Sequence, residues 1–209
     1  MTKIIGITGS IGMGKSTISS MLLKIGIPVF DSDTEVATIL SNNIKIINQI
    51  YKRWPRAIVT NKYQKKLVNK KILGDIIFKT AKDKLFLESL IHPLVQKQRD
   101  LFIKLNKNKE LIALDIPLLF ETKAYKICDY VLIADASNSI QRNRVLKRSN
   151  MTKQKFQLIK KNQFSNKERK RLSPKSFLIT TNFGKLVTFL LVLRILLKIY
   201  FTKELKNKT

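Results

Sequence analysis

One short stretch constrains this chain more than any other: Gly9-Ser10-Ile11-Gly12-Met13-Gly14-Lys15-Ser16-Thr17. It follows the apolar run Ile4-Ile5-Gly6-Ile7 and precedes Ile18, Met21, Leu22 and Ile25 at helical spacing. The order is strand, glycine-rich turn, helix, and Gly9, Gly14, Lys15 and Ser16 fit the pattern G-x-x-x-x-G-K-[ST]. Each residue type has a task. A phosphate chain must come within hydrogen-bonding distance of consecutive backbone N–H groups, so Gly9, Gly12 and Gly14 keep side chains away and admit positive φ. The helix that starts near Lys15 points its positive dipole end at the same anion. Lys15 has the reach for the β- and γ-phosphates of ATP, and the Ser16 hydroxyl is the expected ligand for Mg²⁺. Met13 and Thr17 complete the expected ATP-binding run. A flexible βα turn without a ligand is the plainer alternative, but it does not call for a strand before the motif and a helix after it.

At 209 residues the chain has room for one α/β domain with appendages and not for two large independent ones. A hydrophobic fraction of 44% suffices for a sizeable core. The charge is unusual: 41 Lys+Arg against 14 Asp+Glu gives +27, a surface that attracts polyanions. The lysines run along the whole chain beside many Ile and Asn, as A+T-rich coding DNA produces, and no aromatic residues interleave with them in the manner of a base-stacking surface. Compositional bias is preferred to a dedicated nucleic-acid site. Cys128 is the only cysteine, so no intramolecular disulfide can form and a reducing, cytoplasmic location is expected. It is read as a small residue at the start of a buried strand. The N-terminal apolar run is too short for a signal sequence. Residues 186–201 are apolar but short, and Arg194 and Lys198 interrupt them, so a docked terminal helix is expected and no membrane partner.

The first helix should end near Ile25 with Gly26 as its C-terminal cap, and residues 27–30 should form a second strand. Asp31-Ser32-Asp33 stands at that strand's carboxyl end, where doubly wound sheets bind ligands. Asp31 or Ser32 can also cap the next helix, which leaves Asp33 in the first turn, so capping and catalysis are compatible. From 44 to 106 the pattern is helical, with no strand-type alternation and with turns at Trp54-Pro55 and Asn61-Lys62. His92-Pro93 lies within it; a lone histidine beside a proline is more often structural than catalytic, and no metal-ligand partners surround it. The next strand, 111–116, finishes in Asp115 and Pro117-Leu118-Leu119-Phe120-Glu121, a place for a magnesium carboxylate of the Walker-B kind. A strand over 129–134 leads into a helix with Gln141, Arg142, Arg144 and Arg148. The helical pattern of 151–172 carries Gln163, Lys167 and Arg169, which reads as a solvated basic face or as lid arginines that neutralise a transferring phosphoryl group. A last strand, Ser176-Phe177-Leu178-Ile179-Thr180, runs toward Asn182, and the terminal helix follows Gly184.

These stretches together resemble the dephospho-coenzyme A kinase family. The resemblance is carried by residues 6–17, the Asp31-Ser32-Asp33 triplet, Leu90-Ile91-His92-Pro93-Leu94-Val95, Ile116-Pro117-Leu118-Leu119-Phe120-Glu121 and Gln141-x-x-Arg144-x-x-x-Arg148, with Gln163 and Asn182 at two later family positions. It implies a P-loop nucleotide-kinase-like, three-layer α/β fold with a five-stranded parallel sheet, a helical substrate domain and a lid. Within one domain the core would comprise 1–41, 107–140 and 173–209, the substrate-binding insertion 42–106 and the lid 141–172. The resemblance also implies ATP as donor, Mg²⁺ as cofactor, and the ribose 3′-hydroxyl of dephospho-coenzyme A as acceptor. Asp33 would take or orient the acceptor proton, Lys15 would hold the β- and γ-phosphates, and Arg144 and Arg148 would close over the transferring group. Ser16, with Asp115, would hold the metal, Asn182 would contact ATP, and His92, Pro117, Leu118 and Glu121 would surround the acceptor.

The chain departs from the family at three places. Asn61-Lys62-Tyr63-Gln64-Lys65-Lys66 replaces a turn followed by arginine, and lysine lacks arginine's two-pronged grip on phosphate. Ser173-Pro174 replaces Ala-Asp before the last strand, near the adenine site. Asp115 occupies a position the family does not always fill with a carboxylate. Two other functions fit the same loop: another small-molecule kinase of the nucleoside or nucleotide type, and a basic nucleic-acid-binding P-loop ATPase whose binding would weaken steeply with salt. A monomer or weak homo-oligomer is expected.

Overall fold

The computed structural model describes residues 2–64, 66–77, 79–149, 151–161, 163–173 and 175–202. Lys65 and Pro174, at two of the departures from the family pattern, lie outside the described residues. The chain divides into two compact units, Met1–Phe30 with Asn106–Thr209, and Asp31–Leu105.

The first unit contains the sheet. Strand β1 (Lys3–Thr8) enters the loop, α1 (Lys15–Lys24) leaves it, and β2 (Val29–Asp31) follows a turn at Gly26 with φ +82°. In the second unit come α2 (Ser32–Asn42), α3 (Ile44–Arg53), β3 (Ile58–Thr60), β4 (Lys66–Val68), α4 (Lys70–Ile77) and α5 (Ala81–Leu105). The chain then returns with β5 (Leu111–Asp115), β6 (Tyr130–Asp135), α6 (Asn138–Leu146), α7 (Lys153–Lys161), α8 (Asn166–Leu172), β7 (Ser176–Thr180) and α9 (Gly184–Phe201).

The five-stranded sheet has the order β2-β5-β1-β6-β7, and β1 pairs in parallel with both β5 and β6. Helical cover on both faces explains why all five residues of β5 are buried and read as one apolar run. Strand alternation divides the core. Ile5, Ile7, Leu132 and Ile179 pack with Ile18 and Leu22 of α1 and with Val192 and Leu196 of α9. Val131 and Ile133 face the other way, toward Leu119, Phe120 and Phe164. Helix α9 is docked by Thr188, Val192, Leu196 and Ile199, and among the described residues no helix is long and apolar enough to cross a membrane.

The second unit has its own core of Ile39, Leu40, Ile46, Ile50, Trp54, Leu73, Leu87 and Ile91. Trp54 meets Phe86 edge-on at 5.5 Å, and the Arg53 guanidinium lies 4.4 Å from the Phe86 ring centre while bonding Asp83 at 2.9 Å. Ile50 is fully buried, so Ile50→Ala should cost about 2–5 kcal/mol through lost burial and the cavity left behind, readable as a lower urea midpoint.

One expectation is corrected in this unit. The segment 44–106 is not helical throughout: β3 and β4 form an antiparallel hairpin with Ile58 opposite Val68 and Thr60 opposite Lys66. Ile58, Val59 and Thr60 are all β-branched, and the Asn61 side chain accepts from Tyr63 N–H at 3.0 Å, closing the turn locally. Strands of three residues are too short for alternation to stand out between helices.

Candidate active site

Two of the three glycines in the loop after β1 take positive φ; Gly9 does not, and its missing Cβ instead leaves room for Ala134, whose Cβ would stand 2.9 Å away. Gly12 has φ +78° and a Cβ there would stand 2.5 Å from Val145 Cγ2; Gly14 has φ +93° and a Cβ would meet Thr181 at 2.9 Å. Gly14 is the N-cap of α1 and provides no side-chain cap, so the first-turn N–H groups face the loop's concavity, where an anion is stabilised. Gly12→Ala combines left-handed strain with overpacking against a fully buried valine, and should cost about 2–5 kcal/mol. A lowered Tm together with weakened ATP binding in calorimetry checks it.

The outer side of the loop is held by distant side chains. Gln163 Oε1 accepts from Ile11 N–H at 3.1 Å, and Gln141 Nε2 donates to Ile11 O at 2.8 Å. Arg144 donates to Gly12 O at 3.4 Å, to Thr181 Oγ1 at 2.7 Å and to Thr181 O at 2.8 Å. Thr181 in turn donates to Met13 O at 2.9 Å. Arg169 Nη1 donates to Ser10 Oγ at 3.1 Å. Residues 10–13 are thereby gripped from α6, from Gln163, from α8 and from the end of β7, so the loop's shape is set by the protein's own contacts.

Lys15 Nζ forms an ion pair with Asp115, whose other oxygen accepts from Ser19 Oγ. Asp115 is almost fully buried at the end of β5, and Ser16 is exposed at the start of α1. Hard oxygen donors of this kind suit Mg²⁺, which binds through one or two protein groups together with phosphates and water. No cluster of three or more His, Cys, Asp or Glu able to hold a metal exists among the described residues, and Mg²⁺ in a phosphoryl-transfer site needs none. Beside α1 opens a cleft of about 610 Å³ lined by Ser16, Thr17, Met21, Lys24, Lys185 and Phe189, among other residues. Its apolar wall and two lysines suit a flat ring carrying phosphates.

The remaining candidates fall in several places. Asn182 Oδ1 accepts from Ser137 N–H at 2.8 Å, which ties the β7 end to the start of α6. Arg148 lies exposed just beyond α6, whereas Arg144 is engaged with Thr181 and the loop. Pro117 O accepts from Thr8 Oγ1 at 3.2 Å, and Leu118 is exposed. Glu121 Oε1 accepts from Phe164 N–H at 3.1 Å. Asp31, Asp33 and His92 belong to the other unit. Asp31 caps α2 by accepting from Asp33 N–H at 2.9 Å and Thr34 N–H at 3.1 Å; Asp33 is exposed in the first turn. His92 is exposed on α5, next to Pro93 inside that helix.

Two participants were not singled out from the residues. Ser19 and Thr181 carry no motif of their own. Arg169, expected on a solvated basic face or among lid arginines, is fully buried against the loop. Burial pushes its guanidinium pKa down, and the charges of Glu121 and Glu168 oppose that shift. Glu168 itself completes a capping box with Ser165 at the start of α8. Bonds from the Ser165 hydroxyl and N–H hold its carboxyl below the ordinary value, so the box stabilises above the usual carboxylate range and is lost as pH falls through the lowered pKa.

Comparison with known proteins agrees with this geometry. A family model described as "Dephospho-CoA kinase" matches residues 3–183. The dephospho-CoA kinase of Bartonella henselae is 36% identical over 181 residues, covering 86% of this chain and 89% of that protein. That of Zymomonas mobilis is 33% identical over 168 residues, covering 80% and 83%. A solved structure from Thermus thermophilus superposes with a TM-score of 0.75 at 28% identity, over 94% of this chain and 97% of that one. The dephospho-CoA kinase structure from Campylobacter jejuni gives 0.67 at 23% identity, over 95% and 98%, and shares the fold. With a family model matched over residues 3–183 and relatives of 33% and 36% identity covered over most of their length, the chain belongs to the dephospho-CoA kinase family.

Proposed function

We propose that the chain transfers the γ-phosphoryl group of ATP to the ribose 3′-hydroxyl of dephospho-coenzyme A, giving coenzyme A and ADP. The observation that carries this reading is the phosphate loop with Lys15 held on the buried Asp115, in a chain of this family. Lys15 and the loop N–H groups bind the β- and γ-phosphates. Asp33 accepts or orients the proton of the acceptor hydroxyl, which sharpens its attack. Arg144 positions the loop through Gly12 and Thr181, which leaves the exposed Arg148 to meet the charge of the transferring group. When bound, Mg²⁺ neutralises charge between the β- and γ-phosphates, and Ser16 with Asp115 would hold it. Asn182 borders the adenine, while His92, Pro117, Leu118 and Glu121 serve the acceptor. Residues 42–106 cover the acceptor and 141–172 act as a lid that excludes water. A reducing cytoplasm and a monomer or weak homo-oligomer complete the reading, supported by the single cysteine.

The test is ADP release with Mg-ATP across dephospho-coenzyme A, nucleosides, nucleotides and pantothenate derivatives, with the product weighed by mass spectrometry. Turnover with dephospho-coenzyme A alone is the expected result. Turnover only with a nucleoside or nucleotide rejects the acceptor, and silence with every acceptor rejects the kinase reading.

A further inference from the structure

Asp115 and Arg169 are the two charged side chains buried among the described residues. Asp115 has the Lys15 cation beside it. Arg169 has no ion-pair partner within 4.0 Å among the described residues, although it is fully buried. Its Nη1 donates to Ser10 Oγ at 3.1 Å and to Asn166 Oδ1 at 3.0 Å, while Nε and Nη2 have no hydrogen-bond partner among the described residues. Two carboxylates attract it, those of Glu121 and Glu168. Glu168 is spent on the α8 cap. Glu121 keeps Oε1 on Phe164 N–H, and its Oε2 is buried and unpartnered.

A guanidinium near a carboxylate gains most by a two-pronged pairing, and leaving both sets of bonds unmade in a buried place is a loss to the fold. Arg169 forgoes that pairing and spends Nη1 on Ser10, the second residue of the phosphate loop. The fold is therefore organised to keep a cation at the loop. Its incompletely neutralised charge also favours an anion nearby, because screening is weak where water is excluded.

We propose that Arg169 is a positioning residue of the nucleotide site, acting through Ser10 to hold the loop's first turn in the form that receives the phosphates of ATP. Asn166 sets its reach: its Oδ1 accepts from Arg169 Nη1 at 3.0 Å and its Nδ2 donates to Asp135 Oδ1 at 2.7 Å, which anchors α8 to the end of β6. Arg169 stays off the phosphates and works on their cradle. The proposal rests on the kinase reading only as far as the loop binds ATP, and the identity of the acceptor does not enter it.

The experiment is titration of the full-length protein with Mg-ATP in the absence of acceptor, on Arg169→Met, Arg169→Lys, Ser10→Ala and the Ser10→Ala/Arg169→Met double variant, with melting curves to count folded protein. Arg169→Met should weaken ATP binding per folded molecule about tenfold, the scale of one lost charged hydrogen bond. Lysine keeps the charge and one donor, and should recover most of the loss. Ser10→Ala should weaken binding in the native background and add little to Arg169→Met, because the two residues act as one link. ATP affinity unchanged in Arg169→Met, or losses that simply add in the double variant, overturns the proposal. If Arg169→Met does not fold, Ser10→Ala decides, and native ATP affinity in that variant overturns it equally. A protein that binds ATP normally but phosphorylates a different acceptor leaves this inference standing and removes the acceptor assignment alone.

Discussion

Asp33→Asn should lower kcat with Mg-ATP and dephospho-coenzyme A by about 10²–10⁴-fold, the range lost with a general base. The fold should survive, because the cap of α2 is made by the Asp31 carboxylate, which accepts from the backbone N–H groups of residues 33 and 34. Asparagine keeps that N–H and nearly the same shape. ATP affinity measured without acceptor should therefore stay within about threefold of native, since the change removes an interaction with the reacting hydroxyl rather than with the donor. Single-turnover chemistry, ATP titration and Tm on the same preparation separate these effects. Native turnover in Asp33→Asn removes the residue from the mechanism, and a loss confined to Tm reassigns it to the helix start.

Lys15→Ala should reduce kcat/KM for ATP by about 10²–10³-fold, as removal of one preorganised electrostatic contact to a developing charge does elsewhere. It should also destabilise the protein. Asp115 has a side chain only 2% exposed and would lose the Lys15 cation beside it. Breaking a buried pair from one side costs about 3–5 kcal/mol. Adding Asp115→Asn removes the buried negative charge, so the double variant should recover much of the lost Tm while remaining inactive. That divergence between stability and activity is the informative outcome. Activity restored along with Tm would mean that Lys15 serves the fold alone.

The phosphate loop, the strand before it, the strands expected at 111–116, 129–134 and 176–180 and the helix start after Gly14 were legible to within a residue. The second strand lies at 29–31 instead of 27–30, and the cap of α2, open between Asp31 and Ser32, is Asp31. The legible features rest on local rules: glycine where φ must be positive, aspartate where orphan N–H groups need an acceptor, and apolar runs where a parallel strand is covered on both faces. The hairpin at 58–68 was not legible, because three β-branched residues between helices leave no alternation to count. The burial of Arg169 was not legible for a related reason. Its neighbours Lys167, Lys170 and Arg171 are exposed, so the charge pattern around it is that of a solvated face.

What the sequence determined by itself was therefore the chemistry at hand: which stretch can cradle phosphates, which lysine, serine and aspartates accompany it, and which family the pattern resembles. What only the tertiary structure decided was which of those groups meet. Lys15 and Asp115 are 100 residues apart, Ile11 and Gln163 152, and Ser10 and Arg169 159. Motifs and periodicities follow from steric and hydrogen-bonding rules acting over a few residues, whereas these contacts follow from strand order and from helices packing back onto one sheet edge. Side-chain roles that depend on burial, such as that of Arg169, exist only once that packing has removed the water.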